Sequence, residues 1–293
     1  MNKEMKEVKK TLDDYLLKFD FSGRLENDPV WFPHKFRDRG DVEAVSFIAA
    51  CFAYGKVSQF FKVIEAILER LGPKPYEALK KFDSAAREKE FAGVEYRFNK
   101  SRDILIFLEA VGLALRRHKS LSNILISEYD ESDVNIMPAV SALVKMILGY
   151  ADAISYDKFS IALPAGVKQL LPDPDKNSTC KRLCMWLRWI VRGPDKIDLG
   201  LVREIPASKL VIPLDTHIFR ISNMLGLTSR SDQSLKTAED ITSKLRELDP
   251  SDPLKYDFAI CHIGISGFCK KGEEGRNCKS CVLKNICVKD NAL

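Results

Sequence analysis

Four cysteines have the spacing of a metal cage. Cys269, Cys278, Cys281 and Cys287 follow the pattern C-x8-C-x2-C-x5-C. Cys278-Lys-Ser-Cys281 puts two thiolates in one tight turn, and Cys269 and Cys287 close the set from either side. Four thiolates suit an iron–sulfur cluster or zinc. Spacing does not choose between them, because zinc sites also use C-x2-C. The four lie in one 19-residue stretch rather than in two separated knuckles, which favours the cluster.

A carboxylate and a basic stretch form the other chemical groups. Residues 212–226 read IPLDTHIFRISNMLG, with Pro213 and Asp215 ahead of Ile218, Ile221 and Leu225 at helical spacing. The pattern predicts a helix with Asp215 as its N-cap, its carboxylate at the positive end of the dipole. Capping alone would account for such an aspartate. Between Lys176 and Arg192 there are five basic residues and no acid. On a helix, Lys181, Arg188 and Arg192 share a face, with Cys184 and Met185 between them. Leu183, Leu187 and Ile190 point to a core, and Arg182, Trp186 and Trp189 form a third face. An exposed basic stripe beside two tryptophans suits a phosphate backbone. The competing reading is a surface helix whose tryptophans are core.

These groups must be positioned by helices, since no β-alternating segment of convincing length occurs. Residues 5–19, 41–54, 57–71, 101–118, 121–129, 138–150, 234–248 and 256–268 all carry apolar residues at helical spacing. Gly55, Gly72-Pro73 and Asp249-Pro250 stop them. The fold class is all-α. Residues 163–174 are rich in breakers and lead into the basic stretch.

The composition, 45% hydrophobic and 30% charged, is that of a soluble globular protein. The first residues, MNKEMKEVKKTLDDYL, have no signal-peptide core, and no apolar run approaches a membrane span. A cytoplasmic monomer with no membrane partner is expected. Eight cysteines there point to thiols or a metal centre rather than disulfides. Cys51 and Cys261 sit in apolar helices and read as core. With a net charge of +5 and a pI near 8.6, any nucleic-acid surface must be local. Residues 270–289 hold six Lys or Arg against two Glu, one such surface.

LDTHIFRISNMLGL at 214–227, together with GFC…CKSCVLKNIC, resembles the endonuclease III branch of the helix-hairpin-helix DNA glycosylases. The resemblance covers mainly residues 171–287. It implies two helical lobes. One is a barrel lobe over 40–205 with a degenerate hairpin. The other is a cluster lobe of 1–39 plus 206–293, carrying a [4Fe-4S] loop at 269–287, with zinc as the alternative. It implies excision of a damaged base from double-stranded DNA after flipping, with an AP-lyase step in some members. Asp215 stands where the family's VDTHxxR aspartate is catalytic. Lys181, followed by RLCMWL, stands where lyase members carry their nucleophile. Lys176, Arg182, Arg188 and Arg192 become DNA contacts, and Tyr54 a residue that stacks in the duplex.

The chain departs from the family at three places. The hairpin LPGVGxK loses both glycines, with Asn177 and Thr179 in their places. The turn Ala53-Tyr54-Gly55-Lys56 lacks the family's gap-filling glutamine. Residues 193–210 look like an insertion. Two other function classes therefore compete: a non-catalytic nucleic-acid-binding protein on the same scaffold, and a redox or cluster-carrier protein.

Overall fold

Asp38 opens a helix that is buried almost end to end. Its carboxylate accepts the N–H groups of Gly40 (2.9 Å) and Asp41 (3.2 Å), so it caps a helix over Arg39–Phe52. The sequence pattern had placed that start at Asp41. Asp41 instead accepts the Tyr76 N–H at 2.8 Å and ties this helix to a later one. The computed structural model describes residues 3–19, 22–176, 178–265, 278 and 281–288.

The helices, in chain order, are α1 (Lys3–Lys18), α2 (Trp31–His34), α3 (Arg39–Phe52), α4 (Val57–Leu71), α5 (Pro75–Lys80), α6 (Ser101–His118) and α7 (Leu121–Glu128). Then come α8 (Met137–Phe159), α9 (Ala165–Leu170), α10 (Lys181–Val191), α11 (Thr216–Met224), α12 (Leu235–Leu248) and α13 (Asp257–Ile265). Among the described residues there is no strand, only an isolated bridge between Tyr96 and Asn99. The protein is all-α.

Packing follows the apolar faces. α3, α5, α6, α7 and α8 pack on one another, and α10 lies on α3. α1, α12 and α13 form a second set, with α11 against α13. The buried residues of both sets form one continuous apolar cluster. Burial of whole side chains such as Phe47, Phe52, Phe107 and Trp186 drives this, at roughly 1.5–3 kcal/mol for a Phe-sized side chain.

α8 is longer than its pattern suggested. By length and composition it is long and apolar enough to cross a membrane, yet half of that stretch is buried inside the protein against α6 and α7. It behaves as a core helix.

Candidate active site

α10 and α11 place the two residues singled out for chemistry side by side. Asp215 caps α11 as its position requires: Oδ1 accepts the N–H groups of His217 (2.8 Å) and Ile218 (2.9 Å). That leaves Oδ2 to face outward from the helix end, and Lys181 Nζ lies 3.3 Å from it. Lys181 is the first residue of α10. The two side chains keep 40% and 22% of their exposure, so solvent reaches the pair.

The backbone before Lys181 takes a left-handed turn, but not where the hairpin comparison put it. Cys180, with φ 47°, is the left-handed residue, and Thr179 is not. A β-branched residue resists this region, and the left-handed turn falls one residue after Thr179. Asn177 lies outside the described residues. Cys180 is held by the Ser178 hydroxyl at its N–H (3.2 Å) and by its own Sγ on the Pro172 carbonyl (3.4 Å). The segment between α9 and α10 also presents carboxylates. Ser141 of α8 donates to both Asp173 (3.3 Å) and Asp175 (2.9 Å), and Lys145 pairs with Asp175 at 2.5 Å.

The expected exposed basic stripe is not there. Lys181, Arg188 and Arg192 do share a face of α10, but that face turns toward carboxylates of the protein. Arg188 is 4% exposed, pairing with Asp257 at 2.7 Å and Asp198 at 3.3 Å. Arg192 grips Asp252 through Nε (2.8 Å) and Nη2 (2.8 Å), and also pairs with Asp198. Neither arginine is available to a phosphate. Trp186 and Trp189 are core, at 0% and 1% exposure. The physical reason is the segment 193–210. It returns along α10, with Leu199 N–H on the Trp189 carbonyl (2.6 Å) and Val202 N–H on the Ile190 carbonyl (2.8 Å), and delivers Asp198 to both arginines. Burial pushes the carboxyls of Asp198 and Asp257 up, and Arg188 opposes the shift.

Arg182 is also committed internally. It donates to the carbonyls of Cys51, near the end of α3, and Gln169, on α9, and its guanidinium sits 5.0 Å from the Tyr54 ring centre. Tyr54 is half-buried and its hydroxyl bonds Asn99 and the Tyr96 carbonyl (3.2 Å). Burial pushes that phenol up to about 12. Both residues thus brace the turn between α3 and α4. Of the five residues proposed to contact DNA, Lys176 alone is exposed and without an internal ion pair among the described residues.

Arg220 closes the far side by donating to the Gly264 carbonyl at 2.6 Å. Glycine is required there because a Cβ on Gly264 would stand 2.8 Å from His217 Cβ. This close approach brings α13 under α11. Cys261 on α13 packs against the apolar core, as its helix implied, and is partly exposed, with the charges of Asp215, Asp257 and Lys181 acting on it. Burial and those carboxylates push its thiol well up. Asp252 and Asp257 were not read from the sequence as partners of α10, because their arginines lie 60 and 69 residues away, and Asp198 was not because its segment looked like an insertion.

Of the four spaced cysteines, Cys269 lies outside the described residues. Cys281 N–H bonds the Cys278 carbonyl at 3.2 Å, making the turn that C-x2-C needs, and Leu283 N–H points at Cys281 Sγ from 3.4 Å. Such N–H bonds suit a thiolate sulfur. Among the described residues no three Cys, His, Asp or Glu are gathered closely enough to hold a metal.

A family model described as a protein of unknown function, DUF2400, matches residues 28–266. The match takes in Lys181 and Asp215 and leaves out all four spaced cysteines. No curated protein and no solved structure matches the chain significantly.

Proposed function

The chain belongs to the DUF2400 family, and we propose that its Lys181–Asp215 pair is the active centre of a DNA glycosylase that excises a damaged base. The observation that carries this reading is the 3.3 Å approach of Lys181 Nζ to Asp215 Oδ2. An amine and a carboxylate at adjacent helix starts are the two groups that base excision uses. The nucleotide leaves the duplex, at a cost of a few kcal/mol, and its sugar meets the pair. As the glycosidic bond breaks, positive charge develops on the sugar. A carboxylate about 4 Å away, at an effective dielectric of roughly 20, stabilises that charge by about 4 kcal/mol. The Lys181 amine, once neutral, attacks the sugar carbon and forms a covalent intermediate.

The all-α fold with two helix sets and the close turn at Cys278–Cys281 are consistent with the two-lobed, cluster-bearing architecture of that reading. A [4Fe-4S] cluster on Cys269, Cys278, Cys281 and Cys287 would tie the C-terminal segment to the body, and no step of the reaction uses it.

Borohydride trapping tests the function. Wild-type protein is incubated with duplexes carrying oxidised, alkylated, deaminated or abasic nucleotides. A stable protein–DNA adduct is expected, and it disappears in Lys181→Gln. Excision with no adduct means water is the nucleophile. Duplex binding with neither excision nor adduct supports a non-catalytic nucleic-acid-binding protein instead.

A further inference from the structure

One end of the protein gathers exposed cations that have no ion-pair partner among the described residues. Lys74 and Lys81 flank α5, and α6 runs out in Arg116-Arg117-His118-Lys119. Two bonds bring these segments together. Tyr76 of α5 donates its hydroxyl to the Lys119 carbonyl (2.7 Å), and Arg116 Nη1 donates to the Lys80 carbonyl (2.6 Å). Lys74, Lys81, Arg116, Arg117 and Lys119 are all exposed. The acids of α3, its cap and α5 are engaged already. Asp38 caps α3, Asp41 takes the Tyr76 N–H (2.8 Å), Glu43 takes the Ser122 N–H (2.6 Å), and Glu77 pairs with Lys80 at 3.1 Å.

The helix dipole accounts for only part of this charge. Arg116 and Arg117 lie in the last turn of α6, where cations are favoured. Lys74 stands just before the first residue of α5, the end at which a cation is disfavoured. Lys119 ends α6 with φ 68°, where glycine is the usual occupant. Both positions keep a charge that local stability does not ask for. This end is also remote from the Lys181–Asp215 pair. Arg182 ties the start of α10 to the Cys51 carbonyl, near the end of α3. The cations lie at the other end of α3, where a Cβ on Gly40 would stand 2.9 Å from the Tyr76 ring. Gly40 and Cys51 are 11 positions apart, about 16 Å along the helix axis.

We infer that Lys74, Lys81, Arg116, Arg117 and Lys119 form a second nucleic-acid surface, which holds a stretch of phosphate backbone separate from the one at the pair. This rests on the DNA partner of the glycosylase reading and on none of its chemistry. Two features select phosphate over a protein partner. A protein interface has an apolar core and is poor in lysine. Here three of the five cations are lysines. The large apolar side chains exposed among the described residues, Phe98 and Val134 among them, lie outside α3, α5 and α6. A phosphate backbone asks only for positive charge along its path, and such contacts read neither sequence nor damage. The protein then keeps its hold on DNA while the pair is empty.

The test titrates the whole protein with an undamaged duplex of about 15 base pairs, roughly 50 Å long, and counts duplexes per chain. Wild type should bind two. Lys74→Gln, Lys81→Gln and Lys119→Gly combined should bind one. The slope of log affinity against log salt for the lost duplex should fall by roughly 2.7, about 0.9 for each charge removed. None of these three side chains makes a hydrogen bond or ion pair among the described residues, and glycine suits the Lys119 backbone, so the melting temperature should hold within a few degrees. Excision on the short duplex should stay within about twofold of wild type. A variant that still binds two duplexes, or a wild type whose one duplex the variant binds as tightly, overturns the surface and leaves the Lys181–Asp215 reading standing. Loss of both duplexes from a variant that melts like wild type makes the surface part of one DNA path and overturns a separate contact. Binding of poly-glutamate in place of a second duplex, lost in the variant, assigns the surface to an acidic polypeptide and overturns it as a nucleic-acid site. Wild type that holds two duplexes but excises no lesion overturns the glycosylase reading alone.

Discussion

Lys181 Nζ lies 3.3 Å from Asp215 Oδ2, although the two residues are 34 positions apart and begin different helices. The intervening segment does not merely span that distance. It folds back on α10 and supplies Asp198 to Arg188 and Arg192. Helix starts meet here because α10 and α11 are both held from below, by Arg188 on Asp257 and by Arg220 on Gly264.

Asp215→Asn keeps size and much of the capping bond but removes the charge. Excision should fall about a thousandfold, the rate equivalent of about 4 kcal/mol. Melting temperature should move by only a few degrees, since an asparagine also caps well. Single-turnover excision assays and thermal melts check this together. Wild-type turnover in the mutant would reduce Asp215 to a cap.

Arg188→Met should be strongly destabilising. It leaves Asp257 buried without its cation and Asp198 with Arg192 alone, a cost of about 3–5 kcal/mol. A melting temperature lower by roughly 10 °C is expected. Adding Asp257→Leu should recover part of the loss, because a buried carboxylate is then gone. If the double variant melts lower than the single one, the two residues are not coupled in this way.

Lys176 and Arg192 should separate cleanly in duplex binding. Lys176→Ala should lower the slope of log affinity against log salt by about 0.9, one phosphate contact. Arg192 is locked on Asp252 and Asp198, so Arg192→Met should leave that slope unchanged. Titrations at several salt concentrations read both.

Cys278→Ser should strip iron and acid-labile sulfide from anaerobically purified protein and loosen the C-terminal segment, because ligation and folding are coupled. Elemental analysis showing one zinc per chain and no iron would replace the cluster with the alternative metal.

Acid should weaken the contact between α12, α13 and α1. Burial alone would raise the Asp249 carboxyl. The Lys255 ammonium 2.8 Å away, the Ser251 hydroxyl and the Asp252 N–H outweigh it and hold the group well below the usual carboxylate range. A depressed folded pKa means the stabilisation is present above about pH 4, the unfolded value, and is lost as pH falls below it. Asp249→Asn should therefore melt lower than wild type at pH 7. The gap should narrow progressively as pH falls below about 4. A gap that does not narrow between about pH 4 and pH 2 would point to packing rather than charge.

The helices were legible because their apolar residues recur at the right spacing, and Asp215 was legible because a cap has a local grammar. Lys181 was reachable only through the resemblance, since nothing local distinguishes it from Lys176. The error over Arg188 and Arg192 has a physical source. Spacing places two side chains on one face of a helix but does not say what that face meets, and here it meets Asp198, Asp252 and Asp257 from three later segments.

Arg182 gives the site a fixed side. By holding the carbonyls of Cys51 and Gln169 at once, it rivets the first turn of α10 to α3 and α9, and so anchors the backbone that carries Lys181. Asp215 rides on α11, whose neighbour is α13. On the proposed function, a sugar that meets this pair must part the Lys181–Asp215 ion pair, so binding of substrate and release of the amine from its carboxylate would be one event.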